Sequence, residues 1–314
     1  MTETAAAAEL TEATPTDHGG PSLRRFGVLL TVFLCAACGL VYELALVALG
    51  SYLIGDAISQ ASIVLAVMVF AMGCGALAAK PLQRKAEAAF AGVEILLALL
   101  GGSSVLALYA CYAWLNLYQP AMVIMAFLVG LLIGAEIPLL MVLLQRIRRQ
   151  EAGPAVSDMF AADYIGGLLG GLAFPFLLLP IFGLVRGALL VGTLNAVAGL
   201  ALVLGMFRSA LSRRGRTLLP CLAVLVVALL VVVFAMAGKF EVRARQALYD
   251  DPIVVAERSQ YQEIVLTQSI SGSDVRLFLD GDLQFSSPDE YRYHETLVHP
   301  VLAARRHSVL ILGG

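Results

Sequence analysis

The chain has 314 residues, 60% of them hydrophobic and only 14% charged, with a mean hydropathy of +0.86 and a formal net charge of -2. Soluble domains carry about 25% charged residues, so this composition excludes an ordinary water-soluble globule and places the chain in the membrane class. No basic face with interleaved aromatics is present, which excludes nucleic acid as a partner.

Residues 1–24 are rich in Ala, Thr, Glu and Gly and read as a disordered tail. They lack the charged start and cleavage site of a signal peptide, and the first apolar run is long enough to span a bilayer. Seven spans of roughly 20 residues or more are expected between residues 25 and 238, near 27–50, 58–79, 88–115, 120–144, 160–183, 187–207 and 217–238. The fifth and sixth are separated only by the short Gly183–Gly187 turn.

Charge alternates along the loops. Arg24 and Arg25 precede the first span, and Lys80, Arg84 and Lys85 follow the second. Arg146, Arg148 and Arg149 follow the fourth, while Arg208, Arg213, Arg214 and Arg216 follow the sixth. The positive-inside rule therefore puts the amino terminus and the even-numbered loops in the cytoplasm, and seven crossings put the carboxyl-terminal segment outside.

Glu43, Glu94, Glu136 and Asp163 fall in or near the apolar runs. A carboxylate at hydrocarbon depth costs about 2.5 kcal/mol or more, so each should face the bundle interior. One reading is a path for protons, polyamines or other cations; the other is hydrogen bonding between helices. Glu43 and Glu136, three spans apart, are the stronger candidates, since Glu94 and Asp163 lie nearer span starts. Gly166, Gly167, Gly170 and Gly171 give two overlapping Gly-x-x-x-Gly spacings that favour close helix packing. Pro138, Pro175 and Pro180 should kink their helices. Cys35 and Cys38 have redox-pair spacing but, like Cys74, Cys111 and Cys221, sit in apolar runs as small fillers. Neither a disulfide framework nor a metal site is expected.

After a linker at 239–250 the texture changes. Residues 251–286 read as β-strands, with Asp280-Gly281 as a type I′ hairpin turn. Residues 287–314 read as a helix, with Ser287 at its cap and Pro288 at its first position, then an apolar strand, Ser308-Val-Leu-Ile-Leu-Gly-Gly. That strand and its glycines have the form of a first Rossmann-type strand and turn. The fold class is thus a mainly α membrane bundle of about seven transmembrane helices, then a small β-sheet segment and the first strand of a truncated Rossmann-like domain.

The ordered series Tyr-Gln-Glu-Ile-Val-Leu (261–266), Leu-Asp-Gly-Asp-Leu-Gln (279–284), Asp-Glu-Tyr-Arg-Tyr-His-Glu (289–295), His299-Pro300 and Val-Leu-Ile-Leu-Gly-Gly (309–314) resembles the polyamine aminopropyltransferases, the spermidine synthases. Tyr42-Glu-Leu-Ala-Leu and Asp163-Tyr-Ile-Gly-Gly resemble the membrane-fused branch of that family. The resemblance implies transfer of an aminopropyl group from decarboxylated S-adenosylmethionine to putrescine, giving spermidine and methylthioadenosine. It implies no prosthetic group: the donor is a co-substrate. By the same resemblance Gln262, Gly313 and Gly314 meet the donor nucleoside, and His294, Tyr293 and Gln284 line the polyamine channel. Asp280 matches the family's hairpin aspartate and reads as structural. The catalytic aspartate is expected past Gly314, so no catalytic residue is assigned within this chain, and residues 1–314 alone are expected to be inactive.

The expected partners are putrescine or another polyamine and the lipid bilayer, with a homo-oligomer left open. Localisation is a multi-pass cell-membrane protein. The charge rule puts the carboxyl-terminal domain outside, whereas supply of the donor nucleoside puts it in the cytoplasm. The alternative function is a membrane carrier or channel for polyamines or other cations, working through the intramembrane carboxylates.

Overall fold

The computed structural model describes residues 21–147, 152–208, 211–259, 262–303, 308 and 310. Seven helices come first: α1 Pro21–Ile54, α2 Ala57–Ala78, α3 Ala86–Ala110, α4 Tyr118–Ile147, α5 Ala152–Ala173, α6 Leu179–Met206 and α7 Arg213–Gln246. Strands β1 Ile253–Arg258, β2 Glu263–Gln268, β3 Val275–Leu279 and β4 Asp282–Ser286 follow, and then α8 Glu290–Leu302.

Six helical stretches among the described residues are long and apolar enough to cross a membrane, with Val156–Met206 counted as one stretch of 51 residues. An unbroken helix of that length would measure about 77 Å. It is interrupted at Gly183, whose φ of 73° and ψ of -178° lie outside the helical region. Glycine reaches that backbone without a Cβ clash. The chain folds back there, bringing Gly187 opposite Leu178. Single π turns at Cys111–Leu115 and Phe174–Leu178 extend α3 and α5. The second contains Pro175, whose missing N–H cannot serve a regular α turn. Pro138 lies inside α4, and Pro180 occupies the first turn of α6, where no N–H donor is required. Asp56 caps α2 by accepting from the Ser59 amide at 3.1 Å, and hydrogen bonds from Ser59 hold its carboxyl below the ordinary value.

Helix α1 includes residues 21–24. Most of the segment 239–250, read as a linker, is helical, because α7 runs unbroken through Gln246. Its polar last turns continue the helix past its apolar stretch, since Lys239, Arg243 and Arg245 propagate a helix as well as apolar residues do.

The bundle core is built on Tyr42, Leu46, Leu49, Met68, Leu97 and Leu189, all essentially inaccessible. Its outer surface is apolar too: Ile58, Val69, Phe70, Phe176, Val231 and Val232 are exposed. Helices meet through glycines that let backbones touch. A Cβ added at Gly166 would lie 2.2 Å from the Phe33 carbonyl oxygen, and one at Gly170 2.5 Å from that of Ala37, so α5 is seated on α1. The same logic joins α4 to α2, where a Cβ added at Gly134 would lie 2.1 Å from the Met72 oxygen and one at Gly75 2.0 Å from that of Leu131.

The sheet is antiparallel in the order β1-β2-β3-β4. Asp280 and Gly281, at φ of 50° and 90°, form the two-residue turn between β3 and β4. Ser287 does not cap α8. Its amide donates to the Val275 oxygen at 2.9 Å and its hydroxyl accepts from the Val275 amide at 2.8 Å, so it closes the β3–β4 hairpin, and the helix cap falls to Asp289. The sheet sits where α1, α3 and α7 end: cavities of about 90 and 120 Å³ there are lined by Tyr52, Tyr109, Gly183, Arg245 and Glu263, and by Tyr112, Tyr249, Asp280 and Gly281. The basic segment Lys80–Lys85 and the start of α7 at Arg213 belong to the other end, where Arg146 pairs with Glu87 and Arg25 with Asp158.

Gly170→Leu should lower stability by about 1–3 kcal/mol through overpacking against the Ala37 backbone. Gly167→Ala, whose added Cβ meets only Leu40 at 4.0 Å, should leave it nearly unchanged. Thermal unfolding of the two variants in detergent checks the contrast.

Candidate functional site

Two groups of candidate side chains emerge, one at the sheet and one inside the bundle. At the sheet, β2 alternates strictly, with Glu263, Val265 and Thr267 buried and the residues between them half-buried. Val265 is paired with Phe278, whose ring meets that of Tyr249 at 4.7 Å. Arg245, on the last turn of α7, reaches Glu263 with an N–O distance of 2.8 Å. The helix end is thereby fastened to the strand. Burial, and then the nearby Glu263 charge, push the Tyr249 phenol up, which keeps it neutral beside that ion pair. Tyr52 and Tyr109 continue the junction with rings edge-to-face at 6.4 Å.

Of the residues assigned to substrate, Gln262 is half-buried just before β2, its amide donating to the Ser259 hydroxyl at 3.0 Å. Gln284 is exposed on β4. Tyr293 and His294 lie on α8 with rings edge-to-face at 5.6 Å, and no residue of that helix is buried. Tyr293, Leu297 and Val301 recur every fourth residue and are 58–69% exposed, an apolar stripe with nothing packed over it among the described residues. Asp280 is structural: its carboxylate accepts from the Glu263 amide at 2.8 Å, tying the hairpin turn to β2. Gly313 and Gly314, and with them most of the expected Rossmann-type strand, lie outside the described residues.

Inside the bundle, Glu94 on α3 and Glu136 on α4 meet beside Cys35 on α1, the three ligand atoms all within 4.8 Å of one another. Glu94 is 1% exposed and Glu136 4%, and neither is ion-paired among the described residues. The Cys35 thiol donates to Glu94 at 3.3 Å. Asn195 of α6 lies beside Glu94, with both polar atoms of its amide unpartnered, as are one oxygen of Glu94 and one of Glu136. Gly199 leaves the room for Glu94, since a Cβ there would fall 2.5 Å from the Glu94 Cγ.

Burial depth does not follow span position. Glu94 is the most deeply buried of the four carboxylates, because α3 starts at Ala86 and the site lies more than two turns inside it. Glu43 and Asp163 are half-buried and share a cavity wall with Glu136. Cys35 is a donor to this cluster rather than filler, and all five cysteines are free. Asn195 escaped the sequence reading; its signal was a lone carboxamide within an apolar run.

Comparison with known proteins gives extensive likenesses to named transferases. The chain is 60% identical over 303 residues to polyamine aminopropyltransferase 1 of Streptomyces coelicolor, covering 96% of this chain and 57% of that protein. It is 55% identical over 302 residues to polyamine aminopropyltransferase 2 of the same organism, covering 94% and 54%. It is 44% identical over 321 residues to the polyamine aminopropyltransferase of Mycobacterium tuberculosis, covering 100% and 60%. The chain spans between half and two thirds of the length of these curated relatives. No family model matches the chain. No solved structure matches it either. Identities of this extent run across nearly the whole chain, and the proteins it is similar to are transferases by name.

Arg245→Met and Glu263→Gln should each loosen the sheet from the bundle, with a coupling of about 1–3 kcal/mol in the double-mutant cycle. Protease protection of residues 253–286 in the two single variants and the double variant measures it.

Proposed function

We propose that the chain is the membrane-embedded part of a polyamine aminopropyltransferase that moves an aminopropyl group from decarboxylated S-adenosylmethionine to putrescine. The observation that carries the reading is the near-complete alignment with named transferases. The reading is also supported by the motifs that carry Gln262, Gln284, Tyr293 and His294, of which Gln262 lies just before β2, Gln284 on β4 and the other two on α8. The sulfonium donor already makes the adjacent carbon electrophilic. What the protein must supply is orientation of the acceptor amine and removal of its proton. In this reading Gln262 meets the donor nucleoside, while Gln284, Tyr293 and His294 hold the amine in a neutral polar and aromatic channel. The open apolar stripe of α8 is the surface that a further part of the enzyme would cover to enclose that channel.

The membrane reading is supported by helix length and by the outer surface. The 34 residues of α7 reach about 51 Å, against the roughly 30 Å of hydrocarbon in a bilayer. A water-facing bundle would not display Phe70, Phe176 and Val232. We place the basic end of the bundle in the cytoplasm and the sheet end opposite, following loop charge. The need for a donor made in the cytoplasm argues the other way. A reporter fused after Gln246 weighs the two: external activity is expected, and cytoplasmic activity reverses the placement.

Methylthioadenosine release is the activity assay. Residues 1–314 should yield none, because α8 is uncovered. The whole-length protein should yield it, and in that protein His294→Ala should lower kcat/KM for putrescine by about 10–100-fold, mainly through KM. Wild-type kinetics in that variant would remove His294 from the channel.

A further inference from the structure

A cavity of about 330 Å³ opens on the side of the bundle. Its wall takes Glu43 from α1, Glu136 from α4 and Asp163 and Tyr164 from α5, and Met72 of α2 lies against it. Between the carboxylates the lining is apolar: Gly39, Leu40, Ile133 and Ile137. No Lys or Arg is among the lining residues. Glu136 is 4% exposed with one carboxylate oxygen unpartnered, and behind it lie Glu94 and the unpartnered amide of Asn195. Three carboxylates therefore converge on one apolar chamber without a basic partner from the described residues.

Carboxyl groups buried in this way are stable either neutral or beside a cation, and the shape of the chamber bears on which cation would suit it. A divalent metal draws oxygen ligands to within about 2.0–2.6 Å of one point. Here the carboxylates come from three helices around a volume in the range of small-molecule sites, roughly 300–1,000 Å³, where a few polar groups interrupt an apolar lining. Such a wall matches charges separated by methylene groups. The exposed ring of Tyr164 at the rim adds a face for an ammonium.

We propose that this cavity is a binding site for an aliphatic di- or polyammonium ion, with Glu136 as the buried anchor and Glu43 and Asp163 as the outer carboxylates. The site lies within the bundle, apart from α8, and does not rest on the transfer reaction. It gives the transmembrane part a ligand of its own.

Equilibrium binding of radiolabelled putrescine to residues 1–314 in nanodiscs of neutral lipid tests it. Saturable binding is expected, weakened about tenfold or more by Glu136→Gln and by Glu43→Gln with Asp163→Asn. Gly167→Met, which narrows the chamber without removing a carboxylate, should also abolish binding, and Val69→Ala, on the exposed outer face of α2, should leave it unchanged. Each variant is compared at equal monodisperse elution. Absence of saturable binding overturns the proposal. So does binding that survives both Glu136→Gln and Gly167→Met, or that disappears with Val69→Ala. Full displacement of putrescine by equimolar Mg²⁺ or Zn²⁺ would make the site a metal site and overturn the ligand class. Failure here leaves methylthioadenosine release by the whole-length protein untouched, and failure of that assay leaves this binding untouched.

Discussion

The contact on which the rest of the bundle depends is the approach of helix backbones at glycines. Where α5 meets α1, the missing Cβ atoms of Gly166 and Gly170 would fall within 2.5 Å of the backbone oxygens of Phe33 and Ala37. With apolar surface both inside and outside, burial alone gives helices little reason to choose one neighbour over another; close van der Waals contact does. That seating brings Asp163, one turn before Gly166, to the cavity that Glu43 lines from α1. The parallel contact of Gly134 with the Met72 oxygen fixes α4 two residues from Glu136. The polar chemistry of the bundle is positioned by residues that carry no side chain.

The buried polar centre then follows from geometry on three helices. Glu94, Glu136 and Cys35 converge, and Gly199 on α6 opens the space that Glu94 occupies. A carboxylate pair of this depth, with an unsatisfied carboxamide alongside, is costly in an apolar interior and contributes little to stability by itself. Its survival in so tightly packed a bundle is the kind of local inconsistency expected of a functional position. The sheet end is organised differently. There the Arg245–Glu263 ion pair, the Tyr249–Phe278 contact and the Asp280 carboxylate on the Glu263 amide all converge at the start of β2. The strand that follows Gln262 is therefore held by the last turn of the bundle.

Local features were legible in the sequence because their causes are local. Helix extents follow from runs of apolar residues. The Gly183 break and the Asp280-Gly281 turn follow from what a backbone with positive φ requires. The Gly-x-x-x-Gly spacing announced a packing face, and the ordered motifs from residue 261 onward pointed to the same enzyme family as the relatives. Ser287 shows the limit of such reasoning. A serine before proline and two acids is a sound cap signal, yet a strand partner twelve residues earlier offered its hydroxyl a better bond.

What the sequence could not determine is which residues meet. A helix that is apolar all round has no contrast between its inner and outer faces, so periodicity does not reveal which side of α3 faces α4. Glu94 therefore read as a residue near a span start, although it is the deepest carboxylate of the bundle. Cys35 read as filler although it donates to that carboxylate. By itself the sequence determined a succession of long apolar helices, the hairpin and the motifs shared with the relatives. Only the tertiary structure brought four separated carboxylates into one centre and one chamber, because that depends on which helices approach closely enough to touch.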